Sequence, residues 1–219
     1  MSLIQKKHMH QLLIEFELED LKKYVEKTED FLKSELENFN EKFEEETKNW
    51  SQEERDEYGE TLSDEYWTMA DTHPNIFRAS MLMNIYSLFE NQLKRLCSSY
   101  ERKYKKKISL KNSRNTSKIN KFREKLEIML EINLPEENNC WKMVDEVYRE
   151  VRNILVHDGG EIHRNKLDEV RTIINNVSSI KLDDRNAKII LSNQACLEFI
   201  EQIECFYDLL FKEIKCKKR

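Results

Sequence analysis

The chain has 219 residues, 36% of them charged and 39% hydrophobic, with a formal net charge of −5. Its 3 glycines and 2 prolines are too few breakers for a β-sandwich, a barrel or a glycine-rich nucleotide fold, all of which need many tight turns. What remains is an all-α chain of one large domain, or one domain with an arm, whose core must come from strongly amphipathic helices.

Residues 1–50 read as one long helix. Leu13, Phe16, Leu21, Tyr24, Val25, Phe31, Leu32, Leu36, Phe39 and Phe43 recur at threes and fours among acids and lysines, a narrow stripe suited to packing on another helix. Ser51 followed by Glu54 forms a capping-box pattern for a second helix toward Ala70. His73-Pro74 then predicts a break. From Pro74 to about Tyr104 runs the most apolar helix, with Ile76, Phe77, Met81, Leu82, Ile85, Leu88, Phe89, Leu93 and Leu96 on a wide buried face. Asn112 to Ser117 has loop composition. Further helices are expected over Lys118 to Ile132 and Asn139 to His157, the latter stopped by Asp158-Gly159-Gly160. A short helix follows at Leu167 to Val177. Two β-rich runs, Ile180 to Leu182 and Lys188 to Leu191, flank Asp183 to Asn186 and predict a small hairpin. Ser192 or Asn193 would cap a last helix with Leu197, Ile200, Ile203, Phe206, Leu210 and Ile214 on its inner face. The expected organisation is an acidic N-terminal helical arm at 1–72 and a helical bundle domain at 73–219.

The longest uncharged run, Ala79 to Phe89, is too short for a bilayer span, which takes about 20 apolar residues. The N-terminus lacks the order of a signal peptide. Five cysteines without a C-x-x-C pair argue against zinc and against a disulfide framework, and for free thiols in a reducing cytoplasm. Charge is unevenly spread. Residues 1–70 hold 20 Asp/Glu against 9 Lys/Arg, whereas 101–125 hold 11 Lys/Arg against Glu101 and Glu124 alone, enough to attract a polyanion locally.

One motif carries chemistry. Arg152-Asn153-Ile154-Leu155-Val156-His157 runs into Asp158-Gly159-Gly160. The carbonyls at a helix C-terminus favour an imidazolium, which suits His157 to proton transfer near neutral pH. Asn153 and His157 are i,i+4 neighbours on one face, while Arg152 and His157 lie about 140° apart on an ideal helix. The structural alternative pairs Arg152 with Glu146, Glu150 or Glu90 and leaves His157 as a partner of the helix dipole. His163 with Asp158 and Glu161 is a weak metal pattern, without helical His spacing or cysteine support.

Arg152-Asn153-x-x-x-His157, at the end of a late helix in an all-helical frame, resembles the R-x(4–6)-H signature of the HEPN domain superfamily. Ser87-Leu88-Phe89-Glu90-Asn91 occupies the place of that superfamily's earlier acidic residue. The resemblance covers roughly residues 74–215. It implies a metal-independent endoribonuclease that needs no cofactor and works as a homodimer, with two motif helices converging on one cleft. His157 would act as general base or acid for attack of an RNA 2′-hydroxyl on the adjacent phosphate. Arg152 would hold the phosphate, Asn153 would orient phosphate or histidine, and Glu90 would position Arg152. The products would be a 2′,3′-cyclic phosphate and a 5′-hydroxyl. The resemblance further implies a toxin or antiviral defence effector restrained by an antitoxin. Its alternatives are a non-catalytic scaffold that binds RNA or protein, and a partner of a nucleotidyltransferase.

The basic run also supplies candidate RNA contacts: Lys105, Lys106, Lys107 and Arg114 for phosphates and Tyr104 for stacking. The competing account is a solvated segment that offsets the acidic arm. Changing Lys105, Lys106 and Lys107 to glutamate is expected to weaken RNA binding and flatten its dependence on salt. An unchanged salt slope removes the segment from the binding surface.

Overall fold

A computed structural model of the protein describes residues 9–110, 117–134 and 139–217. The chain is mostly helical (79%) with a two-stranded antiparallel hairpin. Helix α1 spans Met9–Glu46. Its first half buries Ile14, Leu18 and Val25 in the same core cluster as the later helices, so this part of the acidic segment shares the bundle's interior. Leu13 and Phe16, expected on the buried stripe, are 53% and 67% exposed. Apolar residues at Leu12, Leu13 and Ile14 let two rows fit the same 3.6-residue period, and packing chooses the row through Ile14, Leu18 and Val25.

Beyond Val25, α1 buries no further residue and pairs with α2 (Gln52–Thr61) and α3 (Ser63–Trp67). Phe43 stacks on Tyr58 and Phe39 lies against Tyr66. Arg55 grips both oxygens of Glu44 at 2.7 and 2.8 Å. Ser51 and Glu54 form the reciprocal capping box foreseen from their spacing. Trp50 and Trp67 remain exposed, and only Trp141 of the three tryptophans is buried.

The break expected at His73-Pro74 does not occur. The chain stays helical through a wide turn at Thr68–Thr72 into α4, His73–Tyr104. Pro74 sits in the first turn of α4, where its missing N–H withholds little from the helix, and the His73 N–H reaches back to Thr68. Next come α5 (Lys118–Leu130), with Ser117 as its cap, and α6 (Asn139–Lys142). A second wide turn at Met143–Tyr148 leads into α7, Arg149–Asp158. After it lie a tight turn at Arg164–Lys166 and α8, Leu167–Ile174. Strands β1 (Ile180–Asp183) and β2 (Lys188–Leu191) pair antiparallel with Ile180 opposite Leu191. Helix α9, Ala195–Lys217, closes the bundle with Phe199, Ile200, Ile203, Phe206 and Leu210 among its buried residues.

Phe89 of α4 meets Phe206 and Tyr207 of α9 edge-on, each with centroids 5.6 Å apart, and Trp141 lies 4.9 Å from Phe206. This edge-to-face geometry adds to what burial alone contributes. The expectation of an all-thiol chain is corrected here. Cys140 of α6 and Cys205 of α9 are joined as a disulfide across 65 residues, with Cα atoms 6.1 Å apart, because the packing of α6 on α9 brings together two positions that no sequence spacing relates. Cys97, Cys196 and Cys216 are free, and burial pushes the first two thiols up to about 12.

Arg78 of α4 ties three parts together. Its Nε and Nη2 donate to the two oxygens of Glu29 on α1 at 2.7 and 2.8 Å, and Nη1 donates to the Leu191 carbonyl of β2 at 3.1 Å. The two side chains are only 18% and 13% exposed. Removing one member of such a pair strands the other charge, at about 3 kcal/mol, whereas an apolar pair of similar volume is near neutral. Glu29→Ala is therefore expected to lower the urea midpoint sharply, and Arg78→Met with Glu29→Leu to recover most of the loss. Equal losses in the single and double variants would argue against this clamp.

Candidate functional site

The motif helix α7 owes its sharp end to the two glycines. Gly159 and Gly160 take φ of +62° and +90°, the left-handed region where a side chain strains the backbone. The Gly160 N–H donates to the Ile154 carbonyl at 3.1 Å, capping the helix, and the Glu161 N–H returns to Asp158. The chain beyond is pinned to the hairpin. The Ile162 N–H donates to Ala187 at 2.7 Å and the Ile189 N–H to Gly160 at 3.0 Å. The hairpin thus fixes where residues 160–163 run beside the last turn of α7.

Arg152 and Asn153 are half-buried and His157 is exposed. Arg152 Nη1 donates to Asn153 Oδ1 at 3.2 Å, and the guanidinium carbon stands 5.6 Å from the centroid of the Tyr86 ring. Its buried Nε has no hydrogen-bond partner among the described residues. Among the described residues Arg152 forms no ion pair with Glu146, Glu150 or Glu90, so its charge rests on an aromatic face and an amide. Burial pushes the Tyr86 hydroxyl up to about 12, with Arg149 and Arg152 opposing and Asp145 and Glu90 adding to the shift.

Glu90 lies one turn along α4 from Tyr86, but its carboxylate pairs with Lys118 at 3.3 Å. The fold brings Glu90 and Arg152 to the same tyrosine, not to each other. His157 and Asn153 line a recess of about 350 Å³ with Asp158, Glu161, His163 and Lys166. Arg152 is not in its lining, as the 140° offset along the helix requires. Sequence spacing had offered His163 for a metal and had missed Lys166. Among the described residues no group of three or more His, Cys, Asp or Glu is arranged to hold a metal ion.

The basic candidates lie elsewhere. Tyr104 stacks on Tyr100 with centroids 6.1 Å apart, and Lys103 Nζ stands over both rings. Lys105 adopts a left-handed conformation that ends α4, and Lys106 and Lys107 are exposed. Arg114 lies outside the described residues. Ala79, near the other end of α4, borders Gly159 and Gly160. Tyr104 is thus on the order of 35–40 Å along the α4 axis from the end of the motif helix. One RNA molecule would have to bridge that span to touch both.

The left-handed turn yields a direct check. No atom lies within 4 Å of where a Cβ on Gly159 would stand, so Gly159→Ala should cost backbone strain alone, about 1–2 kcal/mol. Gly159→Asn should cost less, because asparagine tolerates this region. Urea midpoints that rank the two variants the other way would contradict the account. Compared with known proteins, the chain matches no family model, no curated protein and no solved structure.

Proposed function

We propose that the protein is a metal-independent endoribonuclease of HEPN type. It would cut RNA through 2′-hydroxyl attack to leave 2′,3′-cyclic phosphate and 5′-hydroxyl ends. The observation that carries this reading is the state of the motif helix. It ends with an exposed imidazole in a polar recess, while Arg152, five residues back, is held on Tyr86 with no carboxylate partner among the described residues. An arginine kept from neutralisation suits bidentate contact with a phosphate. A positioned histidine supplies proton transfer worth about 10²–10⁴ in rate.

Arg152 and His157 face apart within one chain, which favours a homodimer in which the second copy's Arg152 meets the His157 recess. Charge agrees with that placement. Glu150, Asp158 and Glu161 face Lys166 around the recess, and an added guanidinium would offset the carboxylates as an RNA phosphate enters. The role as a toxin or defence effector, with an antitoxin or a nucleotidyltransferase as its regulator, rests on the resemblance alone. A cytoplasmic location rests on the N-terminal sequence, since the Cys140–Cys205 disulfide removes the argument from free thiols.

A second reading, a non-catalytic helical scaffold, is favoured by the same acidic lining, which disfavours phosphate in a single chain. Incubation of purified protein with mixed RNA in EDTA separates the two. Cleavage with cyclic phosphate ends, lost in folded Arg152→Ala and His157→Ala, is expected. Mixing the two inactive variants should restore activity if each site draws on both copies. Activity that survives either change, or a protein that sediments only as monomer at micromolar concentration, would count against the proposal.

A further inference from the structure

The recess beside His157 holds a second imidazole that the motif does not account for. After Gly160 the chain runs extended, so alternate residues point to opposite sides. Ile162 is buried, while Glu161 and His163 flank it, and all three border the recess. The tight turn at Arg164–Lys166 brings Lys166 to the same rim, and Val170 of α8 helps form its wall. Asp158 Oδ1 lies 4.0 Å from His163 Nε2, within ion-pair range though beyond a hydrogen bond. Asn153 stands one helical turn before His157 on the same face.

We propose that His163 is the general acid of this recess, acting opposite His157 as general base, with Lys166 beside the phosphate. This rests on the ribonuclease reading above. His157 takes the proton from the 2′-hydroxyl as O2′ forms its bond to phosphorus. The bond from phosphorus to O5′ breaks with its electron pair on O5′, and that oxygen takes a proton from the His163 imidazolium. No water, metal or oxidant is consumed. One proton has moved onto His157 and one has left His163, and both exposed rings reset by exchange with solvent.

The pairing follows from position. His157 is the motif's histidine and takes the base role, with Asn153 and Glu150 on its face of the helix. His163 is the second imidazole of the same recess, able to supply the proton that O5′ must gain. The ionisable groups around the two rings are Glu150, Asp158, Glu161 and Lys166. With three carboxylates against one lysine, the recess needs further positive charge to accept a phosphate.

The test compares RNA with uridine 3′-phosphate para-nitrophenyl ester, whose leaving group departs as a phenolate and needs no proton. The side chain of His163 is 75% exposed, so His163→Gln should keep the fold, checked by circular dichroism. Expected is a loss of about 10²–10⁴ on RNA, recovery to within about 10-fold of wild type on the ester, and loss of the alkaline limb of the pH profile. His157→Gln should lose activity on both substrates. Wild-type cleavage that His163→Gln leaves unchanged, or reduces equally on RNA and ester, overturns the acid role and leaves the ribonuclease reading standing. No cleavage of either substrate by the wild type overturns both.

Discussion

Much of the geometry converges on the guanidinium of Arg78. Glu29 holds it from α1, and it in turn holds the Leu191 carbonyl of β2. Through β2 the hairpin is fixed against α4, and through the hairpin's hydrogen bonds to Gly160 and Ile162 the segment after the motif helix is set. The recess around His157 therefore depends on an ion pair far from it in sequence. A charge so little exposed must keep its partner, so three separate parts of the chain share one constraint.

The motif helix is two-sided for a reason that no side-chain choice can remove. Five residues of α-helix carry Arg152 and His157 to different faces. One face turns toward Tyr86, with Asp145, Arg149 and Glu90 around the ring. The other opens on the recess with His163 and Lys166. Any chemistry that needs both motif side chains at one phosphate must bring in a second helix end or a long excursion of the arginine. A twofold dimer, as proposed above, would supply the first of these, since each copy would offer the face the other lacks.

Much of the fold was legible because so few residues interrupt it. Periodicity located α4, α5, α7 and α9 and the hairpin, and the spacing of Ser51 and Glu54 located the start of α2. What stayed hidden depended on contacts between distant segments. Apolar residues at Leu12, Leu13 and Ile14 concealed which row of α1 faces inward, since only α4 and α9 decide it. Pro74 looked like a break because a wide turn that absorbs it has no sequence signature. Cys140 and Cys205, 65 residues apart, meet only once α6 lies on α9. At the site, Gly159-Gly160 announced the end of the helix. That the following residues fold back to place His163 beside Asp158 follows from backbone hydrogen bonds to the hairpin, which residue types alone do not encode. Tyr86 as the seat of Arg152 was equally hidden, for it sits on another helix.

Helix α1 belongs to two environments at once. Its first half is embedded among α4 and α9, while its second half is steadied by rings and ion pairs along α2 and α3, where no residue is fully buried. Opening free energies should therefore fall into two tiers along a single continuous helix. Amides beyond Glu29, the last residue of α1 clamped to the bundle, would exchange with solvent through local opening, while those near Leu18 wait for global unfolding. A protease would find its first cuts on the projecting hairpin and leave the bundle behind as a resistant remnant.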